Sequence, residues 1–219
     1  MLIMTLVVLL WLFVDGWIHS PQRSARSGLL RRHSTSTQSS ETDALFSFGL
    51  CADIQYVEAP DDYNFQKTKI RRYMQSLDIF RDAVKSWDEL KPSQPAFAIL
   101  LGDIIDGKTK SMQNEEKCLE DVLSVTRTTT IPFEHVFGNH EYYAFNRSDL
   151  HENVLKGRPD CSHKKLYYSF SPETNGERLN GWKFICLDAY DKSLIGASSE
   201  LHLQQAKELL KAMKRKEEQ

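Results

Sequence analysis

The chain has 219 residues, 26 % of them charged and 41 % hydrophobic, with a formal net charge of −2. That is enough for one domain with its own core, and the near-neutral balance excludes a surface built to neutralise phosphates, so no nucleic-acid partner is expected. The four cysteines, Cys51, Cys118, Cys161 and Cys186, show no C-x-x-C spacing, which excludes a zinc ribbon or a thioredoxin-like site and leaves reduced thiols as the default.

The first 40 residues differ in kind from the rest. Leu2 to Val14 is an almost wholly apolar run, shorter than the roughly 20 residues of a membrane span but suited to the core of a signal peptide. Between Gly16 and Ser40 there is no Asp or Glu, while Arg23, Arg26, Arg31 and Arg32 alternate with Ser and Thr, the composition of a transit segment. Residues 1–40 therefore read as a leader or targeting-like segment, disordered or loosely helical. An upstream start, with the native protein beginning near Glu41, is the alternative. Residues 41–219 carry the fold.

Leu45 to Ala52 is an apolar run that stops at Asp53 and reads as a buried strand. From Asn64 to Leu90, Ile70, Met74, Leu77, Phe80, Val84 and Trp87 recur at three- and four-residue steps and predict one long amphipathic helix, ended by Pro92 and Pro95. Ala96 to Leu101 is a second strand, residues 114–126 a second helix with Leu119, Val122 and Leu123 on one side, and Pro132 to Phe137 a third strand. Strand–helix–strand–helix–strand order predicts parallel crossovers and an α/β sheet. Leu166 to Phe170 and Trp182 to Leu187, separated by Asn175-Gly176 and Asn180-Gly181, read as an antiparallel pair. A last helix over residues 199–215 places Leu203, Ala206, Leu210 and Met213 on one face.

Each of the first three strands ends in polar ligand chemistry: Asp53-Ile54-Gln55, Gly102-Asp103-Ile104-Ile105-Asp106 and Gly138-Asn139-His140-Glu141. Ligands in open α/β sheets bind beyond the carboxyl ends of the strands, so the three strings predict one rim. Asp53 and Gln55, two apart in an extended segment, would point to one side. Oxygen donors from Asp53, Gln55, Asp103 and Asn139 suit Mn²⁺ or Mg²⁺ over soft thiolate metals. Two ions about 3.5–4 Å apart could activate water and neutralise a phosphate. His140 would hydrogen-bond a phosphoryl oxygen or protonate the leaving group, and Asp106 would ligate or orient the loop. Tyr142, Tyr143 and Phe145 would stack on a base or pack the loop. The sequon Asn146-Arg147-Ser148 reads as chance, and Asp188 and Asp191 as supports of the rim.

These three strings resemble the first motifs of the calcineurin-like metallophosphoesterases, with Gln55 standing where that family usually has histidine. The stretches Phe48 to Tyr56, Tyr63 to Gln66, Gly138 to Tyr143 and Leu187 to Asp191 are similar to its manganese-dependent branch acting on ADP-ribose and CDP-alcohols. The resemblance covers residues 45 to about 210. It implies a two-sheet sandwich flanked by helices, with two Mn²⁺ ions at one rim. It also implies hydrolysis of nucleoside diphosphates linked to a sugar or alcohol, giving a nucleoside monophosphate and a phosphorylated sugar or alcohol.

The resemblance implies a small nucleotide substrate as partner, and a cytoplasmic domain unless residues 1–40 direct it elsewhere. No stable membrane span is expected once a leader is removed, and the oligomeric state is open, with a monomer favoured. The family's later Gly-His-x-His motif does not occur in this sequence, and only His202 lies beyond His163. The expectation is therefore an N-terminal portion of the domain, incomplete at its C-terminal side, with apolar sheet surface exposed. A catalytically impaired metal- or nucleotide-binding form is the alternative. A phosphomonoesterase or protein phosphatase on the same scaffold is disfavoured by Gln55.

Overall fold

The computed structural model describes residues 4–7, 45–64, 66–91, 93–158, 160–174, 176–179 and 181–217. Residues 1–3 and 8–40 of the leader, residues 41–44, Phe65, Pro92, Pro159, Asn175, Asn180 and residues 218–219 lie outside them. The unit that carries the site comprises Met1–Val8 and Phe46–Gln219; the other, Leu9–Leu45, lies outside the described residues apart from Leu45.

In chain order the elements begin with β1 (Met4–Val7), β2 (Phe48–Cys51), β3 (Asp62–Tyr63), β4 (Ile70–Arg71), α1 (Gln75–Glu89) and β5 (Phe97–Leu100). Then come α2 (Lys108–Met112), α3 (Glu115–Thr126), β6 (Phe133–His135), α4 (Asn139–Ala144) and α5 (Arg147–Leu150), which runs into a π-helical turn at His151–Leu155. The chain closes with β7 (Tyr168–Phe170), β8 (Glu173–Thr174), β9 (Glu177–Arg178), β10 (Trp182–Cys186) and α6 (Glu200–Glu217).

The three strands expected to be parallel are so. They form a sheet ordered β2-β5-β6, with Phe48 opposite Phe97 and Leu100 opposite His135. All four residues of β5 are buried, which is why its sequence is apolar without alternation. A second sheet, ordered β1-β10-β7, pairs β10 antiparallel with β7 as expected. Its third strand is a difference: Met4–Val7 runs parallel to β10 where the sequence suggested a loose or helical leader.

Alternation along the strands divides the core in two. Phe97, Ile99 and Phe184 form one cluster, with Phe46, Phe48 and Phe170 around it. Phe48 stacks on Phe97 with ring centres 5.2 Å apart, and Phe184 meets Phe97 edge-on at 4.8 Å. This aromatic seam joins the two sheets. The larger cluster packs Leu100 against Leu77, Phe80 and Val84 of α1 and Cys118, Leu119 and Val122 of α3. The expected two-sheet α/β sandwich with helices is therefore present, and all four cysteines are free thiols.

Two helices differ from expectation. α1 begins at Gln75, eleven residues later than the periodicity suggests. Asn64 Oδ1 accepts the N–H groups of Thr68 and Lys69 at 2.8 and 3.0 Å, and Lys67 stands at φ 55°. The side chain thus captures donors that a helix would need, and β3 and β4 form instead, leaving Ile70 and Met74 exposed. In α6 the expected apolar face is buried only at Ala206, whereas Leu210 and Met213 are exposed. Leu50 of β2 is also half exposed, the kind of uncovered sheet surface that the sequence suggested. No helix among the described residues is long and apolar enough to cross a membrane.

Two predictions follow from this core. Phe184→Ala should destabilise the fold by about 3–5 kcal/mol in urea unfolding, because it opens the seam between the sheets. His135 is buried, and burial, with the nearby Arg158 charge second, pushes its imidazole down to about 4 from the ordinary 6.5. The unfolded chain therefore takes up a proton below about pH 6.5 that the folded chain refuses. The stability this group confers is present above that pH and lost as pH falls toward 4. Between pH 7 and pH 5 the loss should be about 2 kcal/mol, and His135→Gln should remove it, as read from denaturant unfolding at the two pH values.

Candidate metal centre

The chains leaving β2 and β5 stay bonded to each other beyond the regular sheet. Asp53 N–H donates to Gly102 C=O at 3.2 Å, Gln55 N–H to Asp103 C=O at 2.8 Å, and Tyr56 N–H to Ile104 C=O at 3.2 Å. Along this path Asp53, Gln55 and Asp103 stand at φ 55°, 46° and 51°. They are three of the five non-glycine residues in the left-handed region among those described, each at a cost of roughly 1–3 kcal/mol. The segment 53–55 is therefore kinked, not extended, which corrects the expectation. Alternation does not aim Asp53 and Gln55; backbone bonds to the Asp103 loop bring them there.

Two glycines let that loop meet the head of α4. Gly102 has φ 90°, and a Cβ on it would overlap Gly138 N. A Cβ on Gly138 would overlap Asp103 Oδ1. Only glycine permits this approach. It allows His140 N–H to donate to Asp103 Oδ1 at 3.0 Å, beside Asn139 at the first position of α4.

Sequence reasoning assigned no role to Glu141, yet it organises the centre. It has no solvent exposure. Its Oε2 accepts Asp103 N–H at 2.9 Å and Gly138 N–H at 2.7 Å, and its Oε1 accepts Ile104 N–H at 2.7 Å. Burial, then the Asp103 charge, push its carboxyl up to about 7 against the pull of these three donors. A signal was available in Gly138-Asn139-His140-Glu141: an acidic residue at the third helical position reaches back to the cap N–H, half of a capping box.

Asp106 is engaged by its own loop and by β4. Its Oδ1 accepts Lys108 N–H at 2.8 Å and its Oδ2 accepts Arg71 Nη1–H at 2.7 Å. Arg71, on β4, had no sequence signal. His140 Nδ1 accepts Gly107 N–H at 2.7 Å. Asp53 keeps its proton more readily than an ordinary carboxyl because of burial and then the Asp103 charge, with His140 and Arg71 acting in the opposite sense. These four residues thus share one neighbourhood.

Around the rim, buried Arg147 pairs with Asp188 and donates to Gly196 C=O at 2.8 Å and His163 C=O at 3.0 Å. Asp188 is a support, as expected. Asn146 caps α5 by accepting Ser148 and Asp149 N–H, a structural duty for the first residue of the sequon. Phe145 is buried, Tyr142 packs on Tyr190 at 4.7 Å, and Tyr143 alone keeps a half-exposed ring, 5.5 Å from His140. A cleft lined by Tyr142, Phe145, Arg147, Leu194, Gly196 and Leu203 lies beside these residues and includes none of the four candidate ligands.

The donor chemistry fits an oxygen-bound divalent ion. Asp103 spends one oxygen on His140 N–H, while among the described residues no hydrogen bond engages the side chains of Asp53, Gln55 or Asn139. Among the described residues no three His, Cys, Asp or Glu side chains gather as a metal cage. What gathers is two carboxylates, with two amides on the same loops.

Residues 46–215 match the family model described as calcineurin-like phosphoesterase. A manganese-dependent ADP-ribose/CDP-alcohol diphosphatase of Mus musculus is 34 % identical over 170 residues, covering 74 % of this chain and 48 % of the relative. Its namesake in Oryza sativa subsp. japonica is 36 % identical over 160 residues, covering 72 % of this chain and 45 % of the relative. The crystal structure of a dimetal phosphatase from Danio rerio superposes with a TM-score of 0.64 at 34 % identity, over 75 % of this chain and 51 % of that one. The chain spans about half the length of the curated relatives it matches.

Glu141→Ala should cost at least about 3 kcal/mol in urea unfolding, since it leaves three buried N–H groups without acceptors at about 1–3 kcal/mol each. An unchanged unfolding midpoint would show that the carboxylate is not the clamp described.

Proposed function

This chain belongs to the calcineurin-like phosphoesterase family, and from that premise we propose that its rim takes part in hydrolysing the phosphoanhydride of nucleoside diphosphates linked to a sugar or alcohol, of the ADP-ribose and CDP-alcohol kind. The products are a nucleoside monophosphate and a phosphorylated sugar or alcohol. One observation carries the reading: Asp53, Gln55 and Asp103 sit on two cross-bonded, left-handed turns that meet Asn139 and His140 at the head of α4. The names of the relatives, manganese-dependent and specific for ADP-ribose and CDP-alcohols, support the metal and the substrate class.

In this reading Asp53, Gln55, Asp103 and Asn139 would hold Mn²⁺. When bound, such ions neutralise phosphoryl charge and lower the pKa of water. The protein's own groups do the rest. His140 offers a hydrogen to a phosphoryl or leaving-group oxygen. Glu141 holds the Asp103 and Gly138 backbones still, so that little reorganisation is left for the reaction. Arg71 adds positive charge beside Asp53, and the half-exposed ring of Tyr143 offers an apolar face next to His140.

A second reading, a metal- or nucleotide-binding form with impaired turnover, is favoured by the absence of any histidine from the ligand set among the described residues. One experiment separates the two. With Mn²⁺ and ADP-ribose, the hydrolase reading expects AMP release, with kcat/KM lowered about 100-fold or more in Asp103→Asn. Calorimetric Mn²⁺ binding that weakens in Asp103→Asn without AMP release selects the second reading. If the substitution changes neither binding nor turnover, the site is misassigned.

A further inference from the structure

The buried Arg147–Asp188 pair fixes more than its own loop. Asp188 Oδ1 accepts Tyr190 N–H at 3.0 Å, and the Asp188 carbonyl accepts Asp191 N–H at 3.3 Å, which closes a turn over residues 188–191. That turn lays the Tyr190 ring on the Tyr142 ring of α4, with centres 4.7 Å apart. Tyr142 is itself locked. Its hydroxyl accepts Arg147 Nη1–H at 3.4 Å and donates to Asp188 Oδ1 at 3.5 Å, and a Cβ on Gly196 would overlap its ring. Tyr190 is therefore held by both its backbone and its ring.

The hydroxyl is the part left over. Among the described residues it makes no hydrogen bond, whereas the hydroxyls of Tyr56, Tyr142 and Tyr168 each donate to an oxygen of the protein. Burial comes first in pushing its pKa up to about 12, so the oxygen keeps its hydrogen. Of the charges acting on it, Asp103 ranks first, then Glu141 and Tyr143, all ahead of Asp188 only two residues away. The hydroxyl thus points away from its own turn, toward the loop after β5 and the first turn of α4. A half-buried O–H donor stands at the rim without an acceptor.

We propose that Tyr190 is a substrate-binding residue of the rim, its O–H donating to an oxygen of the bound phosphoryl group. Asp188 and Arg147 are then positioning residues that act through it. The ring contact and the closed turn orient the hydroxyl before a ligand arrives, so little freedom is lost on binding. That the acceptor is a phosphoryl oxygen rests on the hydrolase reading above. The direction of the hydroxyl does not.

The test uses Tyr190→Phe, which removes the hydroxyl and keeps a ring on Tyr142. The full chain and this variant are titrated calorimetrically with AMP and with inorganic phosphate, each with Mn²⁺ present. Loss of a hydrogen bond to a charged group should weaken both ligands about tenfold or more. The factor should be the same for both, because the phosphoryl group is what they share. A second measurement needs no ligand. Mn²⁺, being paramagnetic, should broaden the Tyr190 ring signals of the wild type in proton NMR, and Mg²⁺ should not; Tyr190→Phe assigns those signals. Equal affinities in the two chains, a loss confined to AMP, no binding by the wild type, or unbroadened Tyr190 signals overturn the proposal. If the variant does not fold, the broadening alone decides. Weakened binding in Tyr190→Phe, with no AMP released from ADP-ribose by the wild type, would refute the hydrolase reading alone.

Discussion

The buried carboxylate of Glu141 is the contact on which the centre depends. It ties the first turn of α4 to the loop after β5 through three N–H donors. Those donors belong to Asp103, Ile104 and Gly138, and none has a strand partner at that point. Without an acceptor they would be buried and unpaired, each at a cost comparable to a lost hydrogen bond. Asp103 could not hold its left-handed turn, and His140 would lose the oxygen that accepts its amide proton. The candidate ligands are thus placed by a residue that is itself no ligand.

This explains how strain can persist at the rim. Three left-handed residues cost several kcal/mol together, a large part of the stability of a domain this size. The strain is tolerated because it sits between rigid neighbours: the parallel sheet on one side, with β5 buried on both faces, and the Glu141 clamp on the other. The aromatic seam and the helix layer supply the burial that offsets it.

The sequence made the sheet legible because parallel strands are apolar throughout, and their ends are marked by an abrupt change to Asp, Gly or Asn. It misjudged the start of α1 because periodicity reports only side-chain spacing. It does not report that Asn64 can divert two backbone donors. It misjudged the aim of Asp53 and Gln55 for a related reason: alternation holds only while φ stays extended, and φ at both positions is set by bonds to a loop some fifty residues later. Glu141 was legible as a helix-capping residue, but its reach to Asp103 and Ile104 depends on tertiary approach through two glycines. Arg71 was not legible, since nothing local to β4 records a partner 35 residues downstream.

The division between engaged and free polar groups then gives the rim its chemical sense. Glu141, Asp106, Arg147 and Asp188 are committed to neighbours and hold loops. Among the described residues the side chains of Asp53, Gln55 and Asn139 make no hydrogen bond, and the Asp103 charge, after burial, adds to the cost of ionising Asp53. A purely structural arrangement would pair or remove such groups, since adjacent like charges away from water only destabilise. A cation bound there reverses the sign of that cost. By linkage, any ion that binds the folded rim and not the unfolded chain also stabilises the fold. Affinity for such an ion and stability of the strained turns would therefore be coupled, and Glu141 would act on both.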